Sequence, residues 1–88
     1  MKTIKIAIFT IVLFNSISVH AGFEEGKATF KQGDYVTTLK EFKQLAEAGH
    51  AKAQTNLGYM YQVGKGVPQD EKMAVAWYRK ASDQGLAN

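Results

Sequence analysis

The chain contains no cysteine, and only one proline and two histidines stand among its 88 residues. Without cysteine it can form none of the disulfides that often stabilise small exported domains. The same absence removes a thiolate nucleophile and any cysteine-based metal site. Histidine is also too scarce to supply a metal-ligand set, so we expect neither a metal ion nor a cofactor.

Long apolar runs are lacking as well. The N-terminus has a cationic start, an apolar stretch over residues 6–14, and then the small residues Val19 and Ala21. This order is typical of a secretory signal peptide, and the stretch is much shorter than the roughly 20 residues of a spanning helix. We therefore predict a signal peptide over residues 1–21 with cleavage after Ala21. The mature chain would be periplasmic or secreted, with no stable membrane span.

The chain also has little excess of positive over negative charge. The whole chain has a net charge of +3, and removal of Lys2 and Lys5 with the signal peptide would leave +1. The remaining basic residues are spread among acidic ones instead of forming a block. A nearly neutral chain without a basic block gives no reason to expect nucleic-acid binding.

An internal repeat is the most informative feature present. Residues 34–51 align with residues 70–87 at an offset of 36, which places Phe42 on Tyr78. The segments before them align at an offset of 32, and a loop insertion over residues 64–69 accounts for the difference. We interpret the chain as two copies of one helical hairpin.

The spacing of apolar residues predicts the helices of these hairpins. Tyr35, Leu39 and Phe42, for example, recur at intervals of three and four, as one face of an α-helix requires. The predicted helices cover residues 23–32, 35–48, 51–62 and 71–84.

Helix boundaries carry their own signals. Asp34 and Asp70 precede the second and fourth predicted helices, where a carboxylate can accept from free backbone N–H groups. Gly49 and Gly85 follow the last turns of these helices, where a residue without Cβ enters the left-handed conformation at low cost.

Residues 51–85 carry a family pattern in the segments AKAQTNLGYMY, GKGVPQD and WYRKA. The pattern resembles a SEL-1-like repeat, a relative of the tetratricopeptide repeat with a longer loop. Residues 22–50 resemble the degenerate opening copy of exported bacterial members, and the second hairpin would span residues 51–88. The resemblance implies an all-α fold, an α/α solenoid of two stacked helical hairpins. The structural signature consists of Leu57, Gly58, Met60, Tyr61, Gly64, Gly66, Asp70, Ala74, Trp77, Tyr78, Ala81 and Gly85.

These signature positions predict how the helices pack. Gly58 has no side chain, so the third helix can approach the fourth closely at Ala74. Trp77 and Tyr78 are expected to supply much of the burial because aromatic rings remove large areas from water. Thr38 stands where the second copy has Ala74, and we expect a slightly looser first hairpin as a result.

No set of residues predicts catalysis. Gly64-Lys65-Gly66 lacks the preceding strand and the spacing of a phosphate loop. His50 has no acidic or nucleophilic residue at a spacing typical of a catalytic site. We interpret it as a turn residue that packs between the hairpins. Ser82 lies late in an amphipathic helix with no nucleophile elbow around it. We expect no enzyme activity and name no catalytic residue.

The remaining possibility is that the chain provides a surface that binds a partner. In tetratricopeptide-like stacks the first helix of each hairpin lines a concave groove, so the resemblance selects nine partner-binding residues. Aromatic rings flanked by lysine and amide groups suit a peptide that offers backbone acceptors and a carboxylate. The nine residues are Phe23, Lys27, Phe30, Lys31, Lys52, Thr55, Asn56, Tyr59 and Gln62.

The sequence predicts a protein–protein interaction module, an adaptor or scaffold whose partner is another protein or peptide, and it leaves alternatives open. The nine residues could be ordinary solvated helix surface. Residues 80–88 could form an unfinished edge that self-associates or docks on a longer repeat protein. A two-repeat chain could also be a shortened relic with little function, since stacked repeats generally need about three units.

Overall fold

The computed structural model describes residues 19–85. Helix α1 covers residues 19–31 of this part, and a short turn leads to α2 (Tyr35–Glu47). Helices α3 (Ala51–Val63) and α4 (Glu71–Asp83) follow. No residue from 19 to 85 is in a strand. The fold is the predicted all-α arrangement, in which two helical hairpins stack side by side.

Helices α2, α3 and α4 begin where the sequence predicts and end within one residue of the prediction. The predicted start of α1 at residue 23 is wrong, because residues 19–22 are already helical. Val19 packs against the core, and a Cβ on Gly22 would lie 3.7 Å from a methyl carbon of Leu45. Of the predicted signal peptide, residues 1–18 lie outside the described residues.

The predicted helix ends are confirmed by their hydrogen bonds. A carboxylate oxygen of Asp34 accepts from the backbone N–H of Thr37 at 3.3 Å, and Asp70 accepts from that of Met73 at 3.1 Å. Each aspartate thereby satisfies one of the free donors of the first turn. Left-handed glycines follow the last turns of α2 and α4: Gly49 and Gly85.

His50 has a more specific role than a turn position. Its Nδ1 atom accepts from the backbone N–H of Ala53 at 3.1 Å, so His50 caps the N-terminus of α3. The imidazole ring also lies 5.0 Å from the ring of Phe23, measured between centroids. The side chain therefore links the start of the second hairpin to α1.

We expect His50→Ala to lower the free energy of unfolding by about 1 kcal/mol, because an N-cap and a ring contact are both lost. His50→Asn should recover most of the difference, since asparagine caps well without the ring. Urea denaturation of the three proteins checks this. An unchanged midpoint for His50→Ala would contradict the capping role.

The core lies between the hairpins, where α2 faces α3. It is formed by Phe42, Leu45, Ala46, Ala53, Leu57 and Met60. Trp77 and Tyr78, which were predicted to supply much of the burial, are both partly buried, and Trp77 packs against this core. Helix α4 packs mainly on α3, and two of its apolar residues, Met73 and Val75, are exposed.

Each hairpin has one close crossing at a glycine. A Cβ on Gly26 would lie 2.5 Å from a ring carbon of Phe42. A Cβ on Gly58 would lie 2.9 Å from the ring of Tyr78 and 3.2 Å from the carbonyl oxygen of Ala74. The internal repeat aligns these two glycines with each other and the two rings with each other, so the hairpins share one packing scheme.

The expected looseness of the first hairpin at Thr38 is not present. Thr38 is 0% exposed, and its hydroxyl lies 2.8 Å from the hydroxyl of Thr29 on α1. One hydroxyl donates to the other, while the second donates to a backbone carbonyl of its own helix. The two threonines fill the crossing that alanine occupies in the second hairpin, and their buried polar atoms are satisfied.

Candidate functional site

A groove runs between α1 and α3, the first helices of the two hairpins. Its cavity volume is about 200 Å³, and it is open to solvent. The groove is lined by Lys27, Phe30, Lys31, Phe42, Asn56 and Tyr59. Because stacking sets the first helices of the two hairpins side by side, each helix supplies one wall.

Aromatic rings form the apolar part of the groove. The Phe30 ring lies 6.3 Å from the Tyr59 ring and 5.2 Å from the Tyr35 ring, measured between centroids. Phe42 is buried beneath them and reaches the groove from α2, while Tyr59 is 44% exposed at the rim. Gly26 allows the ring of Phe42 to approach α1, so the close crossing of the first hairpin also sets the floor of the groove.

Two lysines give the groove its charge. Lys27 and Lys31 are four residues apart on α1 and therefore lie on one helix face, about 6 Å apart along the axis. The Lys27 ammonium lies 3.7 Å from a carboxylate oxygen of Glu24, with both side chains about half exposed. An ion pair this exposed holds the lysine only weakly. None of the described side chains that line the groove is acidic.

The structure brings five of the nine predicted residues together at the groove: Lys27, Phe30, Lys31, Asn56 and Tyr59. The other four lie elsewhere. Phe23 packs on Phe42 and His50, and Lys52 is exposed near the start of α3. The Thr55 hydroxyl donates to the Ala51 carbonyl of its own helix at 3.3 Å. Gln62 accepts a hydrogen bond from α4.

That bond comes from the Tyr78 hydroxyl, which donates to the side-chain oxygen of Gln62 at 2.7 Å. Partial burial raises the pKa of Tyr78 above its ordinary value, and the nearby charges of Tyr59 and Glu71 raise it further. The phenol therefore stays protonated and available as a donor at neutral pH. Gln62 serves the contact between α3 and α4, which explains its absence from the groove.

Comparison with known proteins agrees with this architecture, since residues 51–86 match the model of the Sel1 repeat family. Residues 51–86 are a Sel1 repeat. Sel1 repeats mediate protein–protein interaction and are generally non-catalytic. No solved structure matches the chain significantly.

Curated relatives of the Sel1 repeat share part of the chain. A secretory immunoglobulin A-binding protein of Escherichia coli is 46% identical over 43 residues, 49% of this chain and 9% of the relative. A DAP3-binding cell death enhancer of Rattus norvegicus is 38% identical over 50 residues, 57% of this chain and 10% of the relative. The chain thus spans about a tenth of the length of these relatives.

Sequence reasoning missed a buried glutamine of the Sel1 repeat. Gln54 is almost fully buried, and its amide nitrogen donates to the carbonyl of Ala46 at 3.0 Å. Its amide oxygen accepts from the side chain of Gln84 at 2.9 Å. Gln54 therefore links α3 to the ends of α2 and α4. A polar residue between Ala53 and Leu57 in a core-facing helix was the signal that could have found it.

The loop of the Sel1 repeat packs back on the first hairpin. Lys65 donates to the Tyr35 hydroxyl at 3.2 Å, and its ammonium lies 4.9 Å from the centre of that ring. Gly66 has φ of 79°, and a Cβ there would lie 3.0 Å from the Tyr35 carbonyl oxygen. Only glycine accepts both this conformation and this contact at low cost. The loop fixes the second hairpin against the start of α2.

The described part of the chain contains no group of three or more histidine, cysteine, aspartate or glutamate residues placed to hold a metal ion. Within the same residues, no helix has the length and apolar character needed to cross a membrane.

Proposed function

We propose that the chain is an exported, non-catalytic protein–protein interaction module that acts as an adaptor or scaffold. A peptide or a segment of a partner protein would bind in the groove between α1 and α3. The observation that carries the proposal is the grouping of aromatic, amide and lysine side chains on the facing first helices of two stacked hairpins.

The relatives support a binding role without naming the ligand. Two of them are named for the proteins they bind, secretory immunoglobulin A in one case and DAP3 in the other. Because the chain spans about a tenth of each, we carry over the capacity to bind proteins and not the partner.

Site-specific photocrosslinking tests the groove. A photoreactive phenylalanine analogue at Tyr59 stands at the groove rim, and the same analogue at Val36 provides a matched control on the outer face of α2. Val36 is 78% exposed, so the analogue is tolerated there. We expect crosslinked partner proteins from position 59 and few from position 36, in cells that express the full chain.

The comparison between the two positions decides the outcome. Equal crosslinking from both, or crosslinking from position 36 alone, would mean that the groove is not the binding surface. Lys27→Glu in the Tyr59-labelled chain should reduce the yield, since this lysine lines the groove. Circular dichroism of each variant shows whether the helices are retained.

Export rests on the predicted signal peptide. Cleavage after Ala21 would remove Val19, which packs on the core, and would shorten α1 by about one turn. Phe23 would remain and pack on Phe42 and His50. We expect mass spectrometry of the chain from the cell envelope fraction to find a mature protein that begins at Gly22. An intact precursor as the sole form would contradict the predicted cleavage.

An alternative function is assembly through α4. Val75 is aligned with Leu39 by the internal repeat, yet Leu39 packs against the core while Val75 is 49% exposed. In the first hairpin, this face of α2 is covered by α3, whereas the corresponding face of α4 is exposed. A second copy or a longer repeat protein would cover it. Sedimentation at micromolar concentration tests the self-association form, and a folded monomer would exclude it.

A further inference from the structure

We infer that the groove selects an acidic linear segment with one bulky apolar side chain, which packs against the Phe30 and Tyr59 rings in the groove. This inference rests on the proposed function and names the chemistry of the ligand. Three properties of the groove lead to it: its volume, the placement of its charges and the polar groups on its second wall.

The volume limits what can insert. A cavity of about 200 Å³ is smaller than the roughly 300–1,000 Å³ typical of small-molecule and cofactor sites. It corresponds to one large side chain. The rings of Phe30, Phe42 and Tyr59 line it, so an aromatic or large aliphatic side chain gains most from insertion. The groove therefore takes a single anchor residue.

The charges select what lies beside the anchor. Lys27 and Lys31 stand on one face of α1, about 6 Å apart along the axis. In an extended peptide, side chains two residues apart are separated by about 6.6 Å. Carboxylates at such positions can meet both ammonium groups at once. No acidic side chain among the described lining residues competes for them, and Glu24 pairs with Lys27 only at the exposed edge.

The opposite wall can hold the backbone of the segment. Asn56 supplies an amide that donates and accepts, and Tyr59 supplies a hydroxyl. Both lie on α3, facing the lysines across the groove. A peptide with its acidic side chains toward α1 can present backbone groups to α3. This arrangement suits an extended peptide better than a nucleic acid, because the positive charge is confined to one wall of the groove.

Three blocked octapeptides test the inference by fluorescence anisotropy at low salt. The first has a central phenylalanine flanked by aspartate and glutamate, the second replaces the acids by asparagine and glutamine, and the third replaces phenylalanine by alanine. We expect the uncharged peptide to bind about fivefold more weakly, as loss of two exposed ion pairs implies. The alanine peptide should bind at least about tenfold more weakly, because the buried ring is lost. Added salt should weaken the preference for the acidic peptide.

Charge reversal provides the control. The double variant K27E/K31E should prefer a lysine-flanked phenylalanine peptide over the acidic one. K40E/K43E changes the net charge equally, at two exposed residues of α2 outside the groove. It should keep the preference for the acidic peptide. All four substituted lysines are exposed, so we expect both variants to fold.

The possible failures are distinguishable. Equal binding of all three peptides, or the same loss of preference in K40E/K43E as in K27E/K31E, would overturn the inference about ligand chemistry. If none of the peptides binds while the crosslinker at Tyr59 still captures a partner, the ligand class is wrong and the proposed function stands. If the crosslinker at Tyr59 also captures nothing, both fail.

Discussion

Leu57→Ala is expected to lower the free energy of unfolding by about 2–5 kcal/mol, the range for removal of a fully buried leucine side chain. Leu57 is 1% exposed and belongs to the core that α2 and α3 share. A domain of this size gathers little net stability from one core, so the variant should be largely unfolded at room temperature. Val36→Ala, at the most exposed large apolar residue between positions 19 and 85, should change stability by about 0.5 kcal/mol or less.

The same experiment tests whether the hairpins unfold together. Trp77 is the one tryptophan of the chain and lies in α4, so its fluorescence reports on the second hairpin. Circular dichroism reports on all helices. In the unmodified protein, denaturant should produce coincident transitions by the two methods, because both hairpins share one core. Two separate transitions would show that the hairpins are independent units and would contradict the shared core.

Gly26→Ala should destabilise the chain by about 1–3 kcal/mol, despite a gain in helix propensity of up to about 1 kcal/mol. The added Cβ would lie 2.5 Å from a ring carbon of the buried Phe42, so the ring would have to shift and lose part of its packing in the core. Since Phe42 also forms the floor of the groove, the variant should bind its partner more weakly. Thermal melting and the crosslinking yield at Tyr59 measure the two effects.

Gly58→Ala is the matched comparison in the second hairpin. Its Cβ would meet the ring of Tyr78 at 2.9 Å, but that ring is half-buried and can turn toward solvent. Movement of Tyr78 would cost the hydrogen bond to Gln62 instead of core packing, and the 3.2 Å approach to the Ala74 carbonyl oxygen would require a shift of only a few tenths of an ångström. We therefore expect a smaller loss of stability than for Gly26→Ala. A larger loss would show that the crossing of α3 and α4 is the more rigid of the two.

The helices could be predicted from the sequence because their signals are local. Apolar spacing placed α2, α3 and α4, and Asp34 and Asp70 marked two N-termini through bonds that span three residues. The start of α1 was misplaced because Val19 is held by contacts with the core, which are distant in sequence. The exposure of Val75 could not be predicted for a similar reason. It depends on whether anything packs on the far side of α4, and the repeat pattern does not encode that.

The walls of the candidate site could also be predicted, since the repeat determines which helix of each hairpin faces the groove. The floor could not. The sequence placed Phe42 only on the apolar face of α2, and its access to the groove depends on the crossing at Gly26. Lys52 and Gln62 were placed by helix position alone, although one lies outside the groove lining and the other bonds to α4. Whether each of these side chains lies in the groove depends on its contacts with the neighbouring helices, which the sequence alone does not show.

Stacking of the hairpins is the central claim, and nuclear Overhauser contacts between aromatic rings test it most directly. The rings of Phe30 and Tyr59 belong to different hairpins, with centroids 6.3 Å apart. The rings of Phe23 and Phe42 belong to the first hairpin alone, at 5.7 Å, and serve as an internal control. We expect cross-peaks for both pairs in the folded protein. A cross-peak for Phe23 and Phe42 without one for Phe30 and Tyr59 would show hairpins that form without stacking, and the groove would not exist.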